Sequence, residues 1–435
     1  MKFTRYPEYK ESGVEWLGEV PSHWQVAKFR RVFQESPEKI NSSNEISGEM
    51  LSVSGYRGIE IKEYDDENRK RSEEDLIGYR IVKPGQLVVN TMWLNYAGLG
   101  VSVHEGYVSP AYRAYWIADG FVKKYVHHLM RSELQVKGYT KFLTGIRPNS
   151  LQMSRDDLMA FPVLGPPREE QSAIAAFLDW ETAKIDALVA EQEKLIDLLK
   201  EKRQAVISHA VTKGLDPNFP MKDSGMEWLG EVPVHWEIVK ISRHFSAHKG
   251  ANAARLTKEY CAEIEGEYPV YSGQTENNGM MACINQYEFD SGAEGVILST
   301  TVGAKSMSVS QISGKFSLSQ NCMIIIPRQQ DLSIRFFYYH FQPLFQYERD
   351  LIPNHMQPSF RMEDLYSYQI VLPPQEEQSA IAALLDREVA KIDDLVTESQ
   401  HAIDLLKERR AALISAAVTG KIDVRHLHPQ EMEDA

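Results

Sequence analysis

Residues 166–213 read PPREEQSAIAAFLDWETAKIDALVAEQEKLIDLLKEKRQAVISHAVTK, and residues 373–420 read PPQEEQSAIAALLDREVAKIDDLVTESQHAIDLLKERRAALISAAVTG. The two stretches align without a gap at a constant offset of 207 residues. Each begins with a double proline, continues with acidic residues, and then has no Gly or Pro until Gly214 or Gly420. Because proline holds its predecessor extended and glycine favours a helix end, the pattern predicts one long helix in each copy, over 168–211 and 375–418.

The apolar residues of the two copies recur at steps of three and four. This spacing forms an a/d seam, which favours packing against another helix. An ordinary amphipathic helix on a globular core is the alternative reading. The length and the repetition instead favour the two copies packing on each other as an antiparallel coiled coil. The predicted seam consists of Ile174, Leu178, Ile185, Leu188, Leu195, Leu199, Val206, Ile381, Leu385, Ile392, Leu395, Leu406 and Leu413.

The composition is that of a globular chain with more than one domain. Its 435 residues exceed one typical domain, and 43% of them are hydrophobic, which allows real cores. No run of 18 apolar residues occurs, and the polar start of the chain does not resemble a secretory signal. Cys261, Cys283 and Cys322 lack CxxC spacing and a neighbouring His cluster. We therefore expect no disulfide framework, no structural zinc and an intracellular location.

The net charge of −13 argues at first against a nucleic-acid binder. The charge is unevenly distributed, however. Residues 168–211 carry nine acidic and six basic residues, and residues 375–418 carry nine and five. The two helices therefore account for about half of the excess, and the net charge says little about binding faces elsewhere.

A second repeat precedes each helix. Residues 12–33 read SGVEWLGEVPSHWQVAKFRRVF and residues 224–245 read SGMEWLGEVPVHWEIVKISRHF, at an offset of 212. We call this the tryptophan motif, and we expect its tryptophans to be packing residues: Trp16, Trp24, Trp228 and Trp236. The chain is thus two half-molecules, divided by these patterns into 1–165, 166–214, 215–372, 373–421 and a tail at 422–435.

The stretches between motif and helix, residues 34–165 and 246–372, differ from each other in sequence. We call them the first head and the second head. Short strand patterns bounded by Gly, Pro and Ser occur at 85–93, 112–118, 161–165, 268–281, 295–310 and 321–327, and helix patterns occur at 121–137 and 336–345. The predicted fold class is α+β, with two β-rich mixed domains separated by two long helices in a pseudo-two-fold internal repeat. Two different heads on one duplicated scaffold predict two different ligand surfaces.

The doubled EWLGEVPxHW motif, the doubled PPxEEQSAIAAxLD helix and a divergent domain before each helix resemble the specificity subunit of type I restriction–modification systems. The resemblance covers essentially the whole chain. It implies that the heads are target-recognition domains, each reading one half of a bipartite double-stranded DNA site. It also implies that the helices set the spacer between the half-sites and dock two modification subunits, which are adenine methyltransferases, and that restriction subunits complete the endonuclease complex. A cytoplasmic location in a bacterium or archaeon follows from it.

Catalytic motifs are absent from the sequence. There is no (D/N)PP(Y/F), no glycine-rich loop suited to S-adenosylmethionine, and no GxxxxGK(S/T) phosphate loop. The ExK triplet at Glu60-Ile61-Lys62 has no Pro-Asp partner motif and is expected by chance. We expect a non-catalytic chain that binds no cofactor or metal, and the resemblance places S-adenosylmethionine, ATP and Mg²⁺ on other subunits. The alternatives are a self-sufficient nuclease or methyltransferase, and a two-headed adaptor that binds proteins rather than DNA.

Candidate DNA contacts lie in polar, aromatic-interleaved loops of the heads. Amide and guanidinium groups can pair with base edges, cations contact phosphates, and aromatic rings pack on sugars or extruded bases. The candidates in the first head are Tyr56, Arg57, Trp93, Asn95, Tyr112, Lys141, Arg147 and Asn149. The candidates in the second head are Ser272, Gln274, Thr275, Lys305, Gln320, His355, Gln357 and Arg361.

Overall fold

The computed structural model describes residues 4–42, 48–64, 72, 74–145, 151–274, 276–303, 305–353 and 355–427. The chain divides into two compact units, one of Met1–Glu193 with His401–Ala435 and one of Lys194–Gln400. Both boundaries fall within long helices. Three of the predicted DNA contacts, Arg147, Asn149 and Thr275, lie outside the described residues.

The elements of each half follow the order motif, head, long helix. In the first half they are β1 (Tyr9–Glu11), β2 (Glu19–Pro21), β3 (Gln25–Lys28), α1 (Phe29–Val32), β4 (Phe33–Glu35), β5 (Glu49–Ser54), β6 (Gly58–Ile61), β7 (Arg80–Val82), β8 (Leu87–Asn90), β9 (Leu99–Val101), β10 (Gly106–Val108), β11 (Tyr112–Ile117), α2 (Lys123–Arg131), α3 (Glu133–Thr140), β12 (Leu143–Thr144), β13 (Gln152–Met153), α4 (Arg155–Ala160), β14 (Pro162–Gly165) and α5 (Arg168–Lys213).

The second half repeats this order. Its elements are β15 (Met221–Asp223), β16 (Glu231–Pro233), β17 (Glu237–Lys240), α6 (Ile241–His244), β18 (Phe245–His248), α7 (Lys258–Glu263), β19 (Glu265–Tyr271), β20 (Met280–Ile284), β21 (Phe289–Asp290), β22 (Val296–Thr300), β23 (Val309–Ile312), β24 (Lys315–Leu318), β25 (Cys322–Pro327), α8 (Ile334–Asp350), α9 (Met362–Ser367), β26 (Gln369–Leu372) and α10 (Gln375–Val418).

The two long helices, which we call the rod helices, pack antiparallel, as predicted. In the first unit Arg410 Nε donates to Asp186 at 2.9 Å, and in the second unit Arg203 Nε donates to Asp393 at 3.1 Å. Both pairs of residue numbers sum to 596, and a constant sum is what antiparallel neighbours require. The helices run over Arg168–Lys213 and Gln375–Val418, within two residues of the predicted ends.

The seam prediction is wrong at three positions. Leu188, Leu195 and Leu395 are 42–48% exposed, whereas the next residue of each, Val189, Ile196 or Val396, is buried or half-buried. The seam consists of positions separated by steps that alternate strictly between four and three residues. Two of these positions on each helix are polar. The seam residues are Ile185, Val189, Gln192, Ile196, Leu199, Arg203, Val206 and Ala210 on α5, and Ile392, Val396, Ser399, Ile403, Leu406, Arg410, Leu413 and Ala417 on α10.

The two heads have the same sheet topology although their sequences differ. Each contains two four-stranded sheets, in the orders β6-β5-β10-β7 and β4-β11-β8-β9 in the first head, and β20-β19-β24-β21 and β18-β25-β22-β23 in the second. In each head one sheet contains a parallel pair, β5 with β10 and β19 with β24. A third, two-stranded pairing joins each tryptophan motif to the strand before the rod helix, β3 with β14 and β17 with β26.

The predicted head helices form with one difference. The pattern at 121–137 gives two helices, because Ser132 takes extended backbone angles and caps α3. Its counterpart α8 is continuous and contains Pro343. Phe336, Phe337 and Phe341 of α8 are fully buried, as the pattern predicted. These helices lie between head and rod, and they carry the contacts that join the two.

Candidate nucleic-acid interface

The tryptophan motif of the first unit is joined to the start of α5 by one buried carboxylate. Glu170, in the first turn of the helix, is only 4% exposed. It accepts hydrogen bonds from Trp24 Nε1 at 2.8 Å and from the Tyr6 hydroxyl, and it pairs with His23 Nε2 at 2.8 Å. Burial, followed by the Glu170 bond, raises the pKa of Tyr6 well above its usual range. Trp24 is therefore a packing residue, as predicted, with an additional bonding role.

The second unit repeats this contact. Trp236 Nε1 donates to Glu377 at 2.7 Å, and His235 Nε2 lies 2.6 Å from the same carboxylate. Trp236 also packs beneath Gly214, which ends α5 with a positive φ of 74°. The motif therefore contacts the start of one rod helix and the end of the other within each unit, which fixes the head next to both.

The head helices bind the rod through a glutamine and an aspartate that recur at the offset of 207. Gln171 Oε1 accepts from the Val122 amide at 2.8 Å, and Gln378 Oε1 accepts from the Ser333 amide at 2.9 Å. Eight residues further along, Asp179 accepts from Lys124 at 2.6 Å and lies 2.9 Å from His128 Nε2.

The equivalent carboxylate, Asp386, accepts from Arg335 at 2.6 Å and from the Tyr339 hydroxyl at 2.7 Å. Burial opposes ionisation of Asp179, but the bonds from His128 and Lys124 outweigh it and lower its pKa. The rod thus presents the same acceptors twice, and each head meets them with different donors.

Tyr56 attaches the β5–β6 loop of the first head to the rod. Its hydroxyl donates to Asp186 at 2.5 Å, and Arg410 lies over its ring at 4.6 Å. Burial, and then the bond to Asp186, raise the pKa of Tyr56 to about 12, so the phenol stays protonated and donates. The side chain predicted to contact DNA is therefore already engaged with the rod. Its neighbour Arg57 is 74% exposed and pairs with Glu60 at 2.6 Å.

In the second head the predicted contacts gather around the end of β22. The Thr301 amide donates to Asn321 O at 2.8 Å, and the Phe360 amide donates to Thr301 O at 2.7 Å. These bonds bring three loops together, and the loops carry exposed side chains of Lys305, Gln320, His355, Gln357 and Arg361. Ser272, Gln274 and Gln320 line an adjacent polar cavity of about 290 Å³. We call these seven residues the second recognition group.

In the first head the corresponding loop follows β8. The Met153 amide donates to Thr91 O at 3.2 Å, which places this loop beside the β12–β13 pair. Trp93 is 55% exposed and packs edge-on against Tyr96, with ring centroids 5.9 Å apart. Trp93, Asn95 and Tyr96 form the first recognition group. Of the remaining candidates, Lys141 is exposed just after α3, and Tyr112 is half-buried opposite Asn90 in the sheet.

Some residues near these loops were not identified from the sequence. Tyr96, which is 58% exposed, lies in the same loop as the candidates Trp93 and Asn95 but is not among the predicted contacts. Arg131 is missed entirely, although its guanidinium donates to the carbonyls of Leu99 at 2.6 Å and Gly55 at 2.9 Å and so joins two loops. Lys407 and Arg410 were not identified as candidates either. Their recurrence as Lys200 and Arg203 at the offset of 207 was the available signal.

The chain is similar in sequence to proteins of known kind. A family model described as "Type I restriction modification DNA specificity domain" matches residues 233–404. The MjaX specificity subunit of a type I restriction enzyme from Methanocaldococcus jannaschii is 21% identical over 98% of this chain and 99% of its own length. The chain is similar over nearly its whole length to a type I specificity subunit, and we refer to it below as the specificity subunit. Proteins of that family are non-catalytic and supply DNA specificity to type I restriction–modification systems.

Two further comparisons agree with this assignment. The EcoDI specificity subunit of Escherichia coli is 24% identical over 44% of this chain and 40% of its own length. A solved chain from a study of complex assembly and conformational transition of the type I R-M system is 17% identical. It superposes with a TM-score of 0.62 over 92% of this specificity subunit and 98% of that chain, which supports the fold.

Metal and membrane features are not found in the part of the specificity subunit that the structure describes. Within those residues, no group of three or more His, Cys, Asp or Glu side chains is placed to hold a metal ion. No helix there is long and apolar enough to cross a membrane. Cys261, Cys283 and Cys322 are free thiols.

Half-buried His127 and fully buried His340 make the stability of the specificity subunit depend on pH. Burial, followed by the charge of Arg131, lowers the pKa of His127 to about 3, and burial lowers that of His340 to about 3. An unfolded histidine titrates near 6.5, so below that pH the unfolded chain binds more protons than the folded one. We expect the free energy of unfolding to fall as the pH drops from about 6.5 towards 3, by at most about 1.4 kcal/mol per pH unit for each group.

Urea denaturation at pH 7.5, 6.5 and 5.5 measures this loss. His127→Gln and His340→Leu should each reduce the pH dependence, whereas His401→Gln, at an exposed position on α10, should leave it unchanged. A pH dependence that survives both of these substitutions would show that other groups cause it.

Proposed function

We propose that each head of the specificity subunit reads one half of a bipartite double-stranded DNA site, the first head through the first recognition group and the second through the second. One observation carries this proposal. Equivalent loops, at the ends of β8 and β22, present different exposed side chains on the same sheet framework and the same rod. Amide, imidazole and guanidinium groups on such loops suit base edges and phosphates, and exposed aromatic rings suit sugars and bases.

The rod is proposed to carry the modification subunits on the side away from the heads. In heptad terms the aspartates that accept bonds from the heads, Asp179, Asp186 and Asp386, occupy e positions next to the seam, and the exposed leucines occupy the g and c positions. The first unit exposes Leu188 at 47% and Leu405 at 52%, and the second exposes Leu395 at 48% and Leu198 at 52%. The two leucine pairs are related by the offset of 207, as expected for binding two copies of one partner.

The enzymatic chemistry is proposed to reside on those partners. Adenine methylation, with S-adenosylmethionine, belongs to two modification subunits, and cleavage, with ATP and Mg²⁺, belongs to restriction subunits. The specificity subunit recognises the DNA sequence and sets the distance between the two half-sites. Because adenine must leave the stack to be methylated, the pocket that receives it also belongs to the modification subunit.

Co-expression with the modification subunit and sequencing of the methylated DNA test the proposal. We expect adenine methylation at a bipartite sequence only when both subunits are present. Gln357→Ala in the second recognition group should weaken methylation about 5- to 150-fold, as loss of a bidentate base contact worth about 1–3 kcal/mol predicts. It should relax one half-site and leave the other unchanged.

Gln330→Ala is the matched control, because it is also an exposed glutamine of the second head but follows the opposite end of β25. It should methylate like the parent. Methylation by the specificity subunit alone would contradict a non-catalytic role. Partner binding without any DNA binding would instead favour a protein adaptor.

A further inference from the structure

Each unit contains a cleft between its head and a rod helix. The proposed reading of DNA by the recognition groups gives this cleft no role. The first cleft, of about 350 Å³, has walls formed by Tyr56, Tyr96, Arg131, Lys407 and Arg410 among others. The second cleft, of about 370 Å³, is lined in part by Lys200, Arg203, Met307, Gln342 and Arg349. Each lies wholly within one compact unit.

The two clefts are built from equivalent elements. The rod wall of the first, Lys407, Arg410, Ala411 and Ile414, lies at the offset of 207 from Lys200, Arg203, Gln204 and Ile207 of the second. The head wall comes from the α2–α3 break in one and from the Pro343 turn of α8 in the other. The third wall is the loop before β9 or β23.

That third wall has the same unusual backbone in both clefts. Ala97 and Met307 both adopt left-handed conformations, with φ of 53° and 66°. A non-glycine residue rarely takes positive φ without a structural reason. Heads that differ in sequence therefore retain the same cleft at the same place on the rod.

Both clefts are cationic on a chain with a net charge of −13. Among the described residues that line the second cleft, Lys200, Arg203 and Arg349 are charged and none is acidic. The acids nearest to these cations lie outside the lining: Asp393 pairs with Arg203 at 3.1 Å, and Asp197 with Lys200 at 3.3 Å. Arg203 also donates to Gln342 at 3.4 Å, and both side chains keep further N–H donors.

The first cleft has more cations and one carboxylate in its lining. Arg57, Arg131, Lys407 and Arg410 are opposed by Glu133. Glu133 already pairs with Lys137 at 2.6 Å, and Asp186, behind the cleft, is held by Arg410 and Tyr56. Burial, and then the positive charge of Arg410, lower the pKa of Arg131 to about 10. An anion in the cleft relieves this repulsion.

The first cleft shares a residue with its recognition group, and the second lies close to its group along the chain. The segment Leu94–Tyr96 supplies Tyr96 both to the first recognition group and to the first cleft. In the second head, Lys305 of the recognition group is two residues before Met307 of the cleft. We infer that DNA seated on either group lies near the rod lysine of the same unit.

We propose that each cleft binds a phosphate of the DNA backbone next to its half-site, with Lys407 and Lys200 as the principal contacts. This inference rests on the proposed function. Phosphate contacts fix the register and orientation of a protein on the duplex without reading sequence. The duplicated clefts thus hold the DNA at equivalent points beside two half-sites of different sequence.

The test measures DNA binding by the complex assembled with the modification subunit, at several salt concentrations. Each phosphate contact contributes about 0.9 to the slope of log affinity against log salt. Lys407→Glu and Lys200→Glu should each reduce that slope by about one, and the double variant by about two. The loss of affinity should be equal for cognate and non-cognate duplexes. Lys407→Gln and Lys200→Gln should reduce the slope likewise, without reversing the charge.

Lys194→Glu is the control, because it is an exposed rod lysine that lines neither cleft. If the Lys200 and Lys407 variants had the same salt slope as this control, the cleft proposal would be overturned. A loss of affinity confined to cognate DNA would also overturn it. Loss of a modification subunit with an unchanged slope would identify an acidic protein segment as the occupant and also overturn it. A parent complex that binds no DNA would instead refute the proposed function itself.

Discussion

Replacing Leu188 and Leu405 with aspartate is expected to remove one modification subunit from the assembled complex and leave the other bound. Both leucines are about half exposed on the rod of the first unit, so the substitutions should not unfold the specificity subunit. Burying the exposed half of two leucines in an interface is worth about 1.5–3 kcal/mol, and burying a carboxylate in their place costs more. The affinity at that position should fall by at least two orders of magnitude.

Native mass spectrometry of the co-purified complex gives the stoichiometry directly. Leu198→Asp with Leu395→Asp should remove the second modification subunit. With all four substitutions, the specificity subunit should purify without any modification subunit bound. Leu351→Asp, at a 62% exposed leucine of the second head, is the control. Two modification subunits retained by the first double variant would place the docking surface elsewhere.

The rod could be predicted closely from the sequence because its determinants are local. Proline at the start, glycine at the end and an uninterrupted run of helix formers between them set Arg168–Lys213 and Gln375–Val418 to within two residues. The repeat also predicted which helix each one packs against, because a helix with an apolar seam can pack on a second copy of itself in the same chain. No long-range information was needed.

The seam positions were harder because the rod has apolar doublets. Leu188-Val189, Leu195-Ile196 and Leu395-Val396 each offer two candidates one residue apart. Leucine was preferred, yet the alternation of four and three selects the β-branched neighbour, and Arg203 and Arg410 occupy seam positions that looked polar. Of the leucines left outside the seam, Leu188 and Leu395 are among those proposed to bind the modification subunits.

The heads could be predicted only in part. Strand segments such as Leu87–Asn90 and Cys322–Pro327 were evident as short apolar runs. Their order in the sheets depends on pairings between distant residues, which composition does not reveal. The same holds for the site. The sequence identified polar loops, but the bond from Tyr56 to Asp186 joins residues 130 apart, and no local pattern encodes it.

Lengthening the rod is expected to lengthen the gap between the half-sites and leave both half-sites unchanged. Seven added residues preserve the heptad frame and extend a helix by about 10 Å, or at most about three base pairs of duplex. The insertion must be made in both helices at the same level. The unit boundaries are suitable positions for the two insertions. Residues that face each other in the ion pairs have numbers that sum to 596, and residues 193 and 401 sum to 594, so they lie at nearly the same level.

Sequencing of methylated DNA reads the new gap. The same seven residues inserted after Asp216, in the exposed connection that follows α5, should leave the gap as it was, because the rod keeps its length. Four residues inserted into both helices break the alternation of four and three and should weaken the rod itself. An altered half-site with an unchanged gap would mean that the rod orients the heads but does not measure their separation. The gap would then be set by how the modification subunits hold the DNA.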